Sequence, residues 1–136
     1  MLKINLTNKD AKKPTRAYKG DVGLDCYASE EIAIAPGGRA EIKLGISLDI
    51  PEGYWVHIQT RSSIARRGVQ MHGGVVDSGF KGELSLFTFN HGDKRFAVVK
   101  GDKVCQLILH KVYDDGVAPQ IVHERGENGY GSSNHV

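Results

Sequence analysis

Residues 84–113 read LSLFTFNHGDKRFAVVKGDKVCQLILHKVY. Three short runs in this stretch, at residues 84–90, 95–99 and 104–113, are rich in β-branched, aromatic and other apolar side chains. They are separated by His91-Gly92-Asp93 and by Gly101-Asp102, which are turn-forming combinations. Short apolar runs bounded by such residues are typical of β-strands. The stretch therefore predicts three consecutive strands.

The same pattern continues toward the N-terminus and C-terminus of the chain. Glycine occurs 17 times and separates short apolar runs at fairly regular intervals. Further strands are predicted at residues 3–6, 31–35, 40–49, 54–60 and 120–123. The only helical pattern is one or two turns at residues 62–67, which Gly68 would end. Many short strands at this spacing predict one all-β domain of the sandwich or barrel type.

Composition narrows the class of protein. A chain of 136 residues with 40% hydrophobic and 25% charged residues is typical of a single globular domain. A net charge of +2 is too small to favour nucleic-acid binding, and no apolar run approaches the ~18 residues that span a bilayer. The first residues lack the pattern of a signal peptide. We expect an intracellular protein, cytoplasmic or nuclear, with no direct contact to nucleic acid or membrane.

Two cysteines, Cys26 and Cys105, are too few for a disulfide framework and too far apart in sequence for a zinc motif. Each has apolar neighbours, which predicts buried structural thiols. The six histidines have no spacing of metal ligands either.

One acidic residue stands out at residues 73–83, GGVVDSGFKGE. Asp77 ends a short β-branched run, and Gly79 and Gly82 follow it. This layout holds the carboxylate in a fixed position, which suits proton transfer. The alternative is an ordinary β-turn in which Asp77 bonds to its own backbone.

Two other segments suit the binding of an anion. Arg61 offers a guanidinium group beside Ser62 and Ser63, which can cap the short helix that follows the strand at residues 54–60. The alternative is a capped helix with a solvated arginine. Near the C-terminus, Arg125 and Tyr130 lie in a glycine- and serine-rich stretch that could close over a nucleotide, although such tails are usually disordered.

Taken together, the chain resembles the homotrimeric dUTPase family nearly from end to end. Five motifs carry the resemblance, and they occur in the family's order: residues 21–28 (DVGLDCYA), 60–65 (TRSSIA), 74–83 (GVVDSGFKGE), 101–108 (GDKVCQLI) and 125–133 (RGENGYGSS).

The resemblance implies a reaction and its catalytic groups. Asp77 would activate a water molecule for attack on the α-phosphorus of dUTP, which gives dUMP and pyrophosphate. This reaction limits uracil incorporation into DNA and supplies dUMP for dTMP synthesis. Mg²⁺ would bridge the phosphates and be held through water by Asp25. The residues implied in substrate binding are Arg61, Ser62, Ser63, Met71, Gly74, Val75, Val76, Phe80, Ser85, Gln106, Arg125, Tyr130, Gly131 and Ser132.

Some of these residues have individual roles by the same resemblance. Residues 69–74 would form a tight hairpin that reads the edge of uracil. Phe80, where the family usually has tyrosine, would pack under the deoxyribose, and Tyr130 would stack on the base. Arg61, Ser62, Ser63 and Gln106 would contact the triphosphate, and Arg125 would neutralise the departing pyrophosphate.

The resemblance also implies the architecture. It predicts a distorted jelly-roll or β-clip subunit with one short helix, a homotrimer and active sites shared between subunits. Residues 1–124 would form the β domain, and residues 125–136 would be a flexible tail that acts as a lid.

Two alternatives come from related or different classes of protein. Arg61-Ser62-Ser63 and Asp77-Ser78-Gly79-Phe80 also resemble dCTP deaminases, including bifunctional deaminase–diphosphatases. Those enzymes carry a catalytic glutamate ten residues after the motif-three aspartate, whereas this chain has Phe87, which cannot transfer a proton. A trimeric module that only binds partner proteins is the third possibility, and Asp77, Arg61 and Arg125 favour an enzyme over it.

Overall fold

Short β-strands make up nearly all of the regular structure in the computed structural model, which describes residues 1–113 together with Gly116, Ile121 and Gly129. Eleven strands and one helix lie within these residues. Their bounds are β1 (Lys3–Leu6), β2 (Gly23–Tyr27), β3 (Ile32–Ile34), β4 (Arg39–Lys43), β5 (Ile46–Asp49), β6 (Tyr54–Thr60), α1 (Ser62–Ala65), β7 (Val69–His72), β8 (Val75–Asp77), β9 (Ser85–Asn90), β10 (Phe96–Val98) and β11 (Lys103–Lys111). The predicted all-β fold with one short helix is confirmed.

The strands form four antiparallel sheets. β1 pairs with β5, and β3 pairs with β10. The two larger sheets have the strand orders β4-β9-β7 and β2-β11-β6-β8. Most neighbours in the sheets are distant in sequence, so the architecture depends on long-range pairing rather than on consecutive hairpins.

One continuous core lies between these sheets. Along β11, Cys105 and Leu107 are buried, whereas Gln106 and Ile108 on the other face are only half-buried. The opposite side of the core comes from the three-stranded sheet, where Ile42 of β4 is fully buried in the same cluster. Full burial of such a side chain contributes about 1.5–3 kcal/mol. The core therefore holds one face of each larger sheet and leaves the other face outward.

The strand predicted at residues 40–49 is interrupted. Leu44 and Gly45 separate β4 from β5, which belong to different sheets. Gly45 has a φ of 66°, in the left-handed region that favours glycine. A Cβ atom there would lie 2.7 Å from Cβ of Ala11 and 2.8 Å from Cβ of Ser29. The backbone turns at this point because glycine allows both the conformation and the close approach.

Two other local predictions differ from the structure. β2 was not among the predicted strands, although it lies in the first motif. The predicted hairpin at residues 69–74 does not pair with itself, because β7 pairs with β9 and β8 pairs with β6. Gly73 and Gly74 instead connect two sheets. The strand predicted at residues 120–123 lies, except for Ile121, outside the described residues.

The two cysteines are neighbours in the core. Cys26 of β2 lies directly opposite Cys105 of β11, and both thiols are free and buried, as predicted. Hydrogen bonding to Cys26 and burial raise the pKa of the Cys105 thiol well above its usual range. Among the described residues, no helix is long and apolar enough to cross a membrane.

Candidate active site

A cleft of about 510 Å³ opens where β2, β11 and the start of α1 meet. Asp25 of β2 and Gln106 of β11 are directly opposite cross-strand neighbours, so their side chains share the outward face. β6 ends at Thr60, beside β11, and Arg61 leads from it into α1. The cleft is lined by Ala17, Tyr18, Asp21, Val22, Gly23, Asp25, Arg61, Ser62, Ser63, Lys103 and Gln106. Five predicted site residues, Asp25, Arg61, Ser62, Ser63 and Gln106, are thus brought together.

Asp25 faces a cation in this cleft. Its Oδ2 atom lies 3.4 Å from Nζ of Lys103, and its side chain is only 13% exposed. Arg61 lies on the same side, where its Nη1 donates to the backbone carbonyl of Lys103 at 3.2 Å. Two cations, Arg61 and Lys103, and several uncharged donors lie in the cleft beside the carboxylates of Asp21 and Asp25, and these cations and donors can contact a polyanion.

The donor set around Asp25 fits one kind of metal binding. Among the described residues, no group of three or more His, Cys, Asp or Glu side chains could hold a metal ion. A complete protein cage is therefore absent from that part of the chain. Asp25, with Asp21 also in the lining of the cleft, fits Mg²⁺, which keeps several waters and is held by one or two carboxylates together with substrate phosphates.

The start of α1 differs from the prediction. Ser62 and Ser63 do not cap the helix, because the N-cap position belongs to Arg61 in an extended conformation. No side chain caps these first N–H groups. The helix begins at Ser62, one residue earlier than a Ser62 cap would require, so both serines lie inside the first turn and line the cleft.

Asp77 occupies the end of β8, as predicted. The N–H of Phe80 donates to the Asp77 carbonyl at 3.1 Å, which closes a turn immediately after the strand. In register, Asp77 lies opposite Trp55 of β6. The strand is short and followed by a turn, so the carboxylate is carried on a fixed backbone.

Asp77 is nevertheless distant from the cleft. β2 and β8 are the two outer strands of the four-stranded sheet. The row of Asp25 crosses β6 at Gln59, whereas the row of Asp77 crosses it at Trp55, four residues away. Three strand spacings of about 4.8 Å and about 13 Å along the strands separate the two aspartates by roughly 20 Å. One chain therefore does not bring them to a common site.

Met71 and Gly74, which are predicted to read the base, lie against β6. The N–H of Met71 donates to Oγ1 of Thr60 at 3.2 Å. The carbonyl of Gly74 accepts from Ile58 N–H at 2.7 Å, and an added Cβ atom at Gly74 would lie 2.9 Å from the Ile58 carbonyl oxygen. Glycine thus allows this connector to lie flat on β6.

The side chains of β8 alternate as the strand period requires. Val75 is 67% exposed, whereas Val76 is buried. Ser85, at the start of β9, is buried, and its hydroxyl donates to the Glu41 carboxylate. Ser85 does not line the cleft, so its substrate contact stays a prediction.

Phe80 is held between two glycines. Its ring is 7% exposed, and added Cβ atoms would lie 2.6 Å from its Cζ atom at Gly82 and 2.7 Å from its Cε1 atom at Gly129. Gly129, the one described residue of the fifth motif, therefore lies against Phe80 of the third motif. The other predicted residues of that motif, Arg125, Tyr130, Gly131 and Ser132, lie outside the described residues.

Sequence reasoning assigned no role to six residues that line the cleft: Ala17, Tyr18, Asp21, Val22, Gly23 and Lys103. Lys103 lies in the fourth motif, but its ion pair with Asp25 depends on the pairing of β2 with β11. Tyr18 lies before the first motif, and no sequence signal placed it near a ligand.

The profile of the dUTPase family matches residues 9–134, which include all five motifs. The chain belongs to the dUTPase family. Curated relatives named deoxyuridine 5'-triphosphate nucleotidohydrolase agree with this assignment. The protein from Kluyveromyces lactis is 40% identical, over 97% of this chain and 93% of its own length. The protein from Clostridium tetani is 38% identical, over 97% of this chain and 95% of its own length.

Solved structures of dUTPases share the fold. The dUTPase of the Staphylococcus bacteriophage 80alpha, determined with dUPNHPP, superposes with a TM-score of 0.80 at 26% identity and covers 98% of each chain. The dUTPase of phage phi11 of S. aureus superposes with a TM-score of 0.81 over 91% of this chain and 98% of its own, although only 22% of residues are identical. The fold is thus that of dUTPases.

Proposed function

We propose that this protein hydrolyses dUTP to dUMP and pyrophosphate. Membership of the dUTPase family over residues 9–134 carries the proposal. The cleft that gathers Arg61, Ser62, Ser63, Gln106 and Lys103 supports it, because these side chains supply the positive charge and hydrogen-bond donors that a triphosphate requires. A volume of about 510 Å³ is within the range of small-molecule sites.

The active site is assembled from more than one chain in this proposal. Asp25 and Asp77 lie at opposite edges of one sheet, roughly 20 Å apart. A second copy that places its Asp77 at the cleft of the first would complete the site. A closed ring of three copies would repeat this contact three times, which is the homotrimer that the resemblance implies.

The reaction needs one proton acceptor and a polyanion site. Asp77 would take the proton from a water molecule as its oxygen attacks the α-phosphorus in line with the departing pyrophosphate. Arg61 and Lys103 would balance the negative charge of the phosphates from the cleft. Arg125 from the C-terminal stretch would add to this charge balance, with Tyr130 against the base and Gly131 and Ser132 against the phosphates.

Mg²⁺ is the proposed cofactor. Asp25 would hold it through water, because Asp25 is the half-buried carboxylate of the cleft and Mg²⁺ keeps most of its water in such sites. Bound there, the ion would neutralise charge on the phosphate oxygens. Lys103, which pairs with Asp25, would be free to contact a phosphate once Asp25 holds the hydrated ion.

Deamination of dCTP is the runner-up, and the structure gives it no support. Phe87 lies on β9 opposite Glu41 of β4 and His72 of β7. It is in the three-stranded sheet, whereas Asp77 is in the four-stranded sheet. A phenyl ring cannot serve as the general acid or base that attack on cytosine requires.

Assaying the purified protein tests the proposal. dUTP and the four common deoxynucleoside triphosphates are supplied separately with Mg²⁺, and pyrophosphate and ammonia are both followed. We expect pyrophosphate from dUTP well above the other substrates and no ammonia from dCTP. Ammonia from dCTP would support a deaminase instead, and absence of pyrophosphate from dUTP would contradict the proposed function.

A further inference from the structure

The loop of residues 16–24 begins after Thr15 and ends before Asp25, the candidate metal residue, and these two flanking residues pair with each other. Thr15 and Asp25 form an isolated antiparallel bridge: the Thr15 N–H donates to the Asp25 carbonyl at 3.0 Å, and the Asp25 N–H donates to the Thr15 carbonyl at 2.6 Å. Both ends of the loop are therefore fixed to the strand that carries Asp25. The position of the loop and the position of this carboxylate are coupled.

The middle of the loop is held by a second set of hydrogen bonds. The Tyr18 N–H donates to Oδ2 of Asp21 at 3.0 Å, and the Asp21 N–H donates to the Tyr18 carbonyl at 3.1 Å. Arg16 donates from Nη1 to the Asp21 carbonyl. These contacts are within the loop and lower the conformational freedom that would be lost when a ligand binds.

The side chain of Tyr18 is exposed, although hydrogen bonds hold the backbone of its loop. It is 76% exposed, yet it lines the cleft together with Arg61, Ser62, Ser63 and Gln106. An exposed tyrosine on a loop with a hydrogen-bonded backbone, at the edge of a polar cleft, offers an aromatic ring and a hydroxyl donor to a ligand. Neither the core nor the β-sheet uses this side chain.

We propose that Tyr18 binds the terminal phosphates of the nucleotide through its hydroxyl and so determines affinity for the triphosphate. The inference rests on the proposed function, because it assigns the cleft to the phosphate end of dUTP. The chemistry supports it: the cleft already has two cations, Arg61 and Lys103, and Tyr18 would add an uncharged donor. A donor to a charged phosphate is more stabilising than one to a neutral group.

Tyr18→Phe removes only the hydroxyl and is the direct test. Tyr113→Phe is the matched control, since Tyr113 is 80% exposed and does not line the cleft. We expect Tyr18→Phe to raise KM for dUTP and Kd for pyrophosphate by about fivefold to tenfold, with kcat within about twofold of the unmutated protein. Tyr113→Phe should change neither constant.

Binding of dUMP locates the contact. dUMP lacks the β- and γ-phosphates, so its Kd should be the same for Tyr18→Phe and the unmutated protein. Equal weakening of dUMP and pyrophosphate binding would overturn the proposal, and so would a pyrophosphate Kd unchanged by Tyr18→Phe. Calorimetric titration with pyrophosphate needs no turnover. If the unmutated protein fails to hydrolyse dUTP, the proposed function is wrong, and the titration still decides whether Tyr18 binds phosphate.

Discussion

Asp25 and Asp77 project from the same face of one antiparallel sheet, but they stand on its two outer strands, β2 and β8. The two strands between them, β6 and β11, carry Trp55 and His110, whose rings stack with their centroids 4.5 Å apart. His110 Nε2 is also the one buried side-chain polar atom without a hydrogen-bond partner among the described residues. The two aspartates therefore belong to different sites of one chain, or to one site made by two chains.

Complementation between inactive variants distinguishes these two arrangements. Asp77→Asn and Arg61→Ala damage different halves of the proposed site, so each should be inactive alone. Co-expressed with different tags and purified as mixed assemblies, they should recover activity in about a quarter of the sites, because random assortment pairs two intact halves at that frequency. The measurement is dUTP turnover per chain.

A second pair of variants is the control for this experiment. Arg61→Ala and Asp25→Asn lie in the same half, so their mixture should turn over dUTP no faster than the sum of the separate variants. If the Asp77→Asn and Arg61→Ala mixture turns over dUTP no faster than the sum of the separate variants, a site shared between chains is wrong.

Asp25→Asn should change the dependence on metal. The amide keeps the size of the side chain but loses the charge that would hold a hydrated Mg²⁺ ion, so we expect the Mg²⁺ concentration for half-maximal turnover to rise about tenfold. Asp93→Asn, at an exposed carboxylate in the loop after β9, is the control. An unchanged Mg²⁺ dependence in Asp25→Asn would show that the ion is held elsewhere.

Gly129 and Phe80 should be energetically coupled. A methyl group at Gly129 would lie 2.7 Å from Cε1 of a buried ring, so Gly129→Ala should push the two groups apart and lower kcat/KM for dUTP by about fivefold. In a Phe80→Leu background the smaller side chain leaves room, and the same substitution should cost less. Strictly additive effects in the double-mutant cycle would mean that this contact is not used during turnover.

The Cys105 thiol should make stability depend on pH in the alkaline range. Hydrogen bonding to Cys26 and burial raise the pKa of Cys105 in the folded protein, whereas an unfolded thiol titrates near pH 8.5. Above that pH the folded state keeps a proton that the unfolded state loses. The free energy of unfolding should therefore fall by about 1.4 kcal/mol per pH unit from this group, and should not depend on it at lower pH.

Urea unfolding between pH 7 and pH 10 measures this effect. Cys105→Ala is the comparison, because other groups also titrate in that range and remain in both proteins. The difference in free energy of unfolding between the unmutated protein and Cys105→Ala should shrink or reverse as the pH rises. A difference that stays constant with pH would show that the thiol titrates alike in the folded and unfolded states.

The local parts of the fold and site were predictable from the sequence. Turn-forming residues mark the ends of β6 and β9, and Asp77 could be placed at a strand end because Gly79 follows a β-branched run. The position of Arg61 between a strand and a short helix followed from the change of pattern after Thr60. These features depend on residues that are close together in the chain.

The features that sequence reasoning missed depend on distant residues. The break at Gly45 is required by close contacts with Ala11 and Ser29, which no local pattern reveals. Similarly, β7 and β8 join different sheets, because β7 pairs with β9 and β8 pairs with β6 rather than with each other. The separation of Asp25 from Asp77 follows from strand order in the same way, so a list of motifs could not show it.

The most direct test of the central claim is the turnover of dUTP by Asp77→Asn. The amide has nearly the same shape as the carboxylate but cannot accept the proton of the attacking water, so kcat should fall by about 10²- to 10⁴-fold. Binding of a non-hydrolysable dUTP analogue, measured on the same sample, should stay within a few fold of the unmutated protein. A kcat for Asp77→Asn near that of the unmutated protein would contradict the assignment of Asp77 as the base.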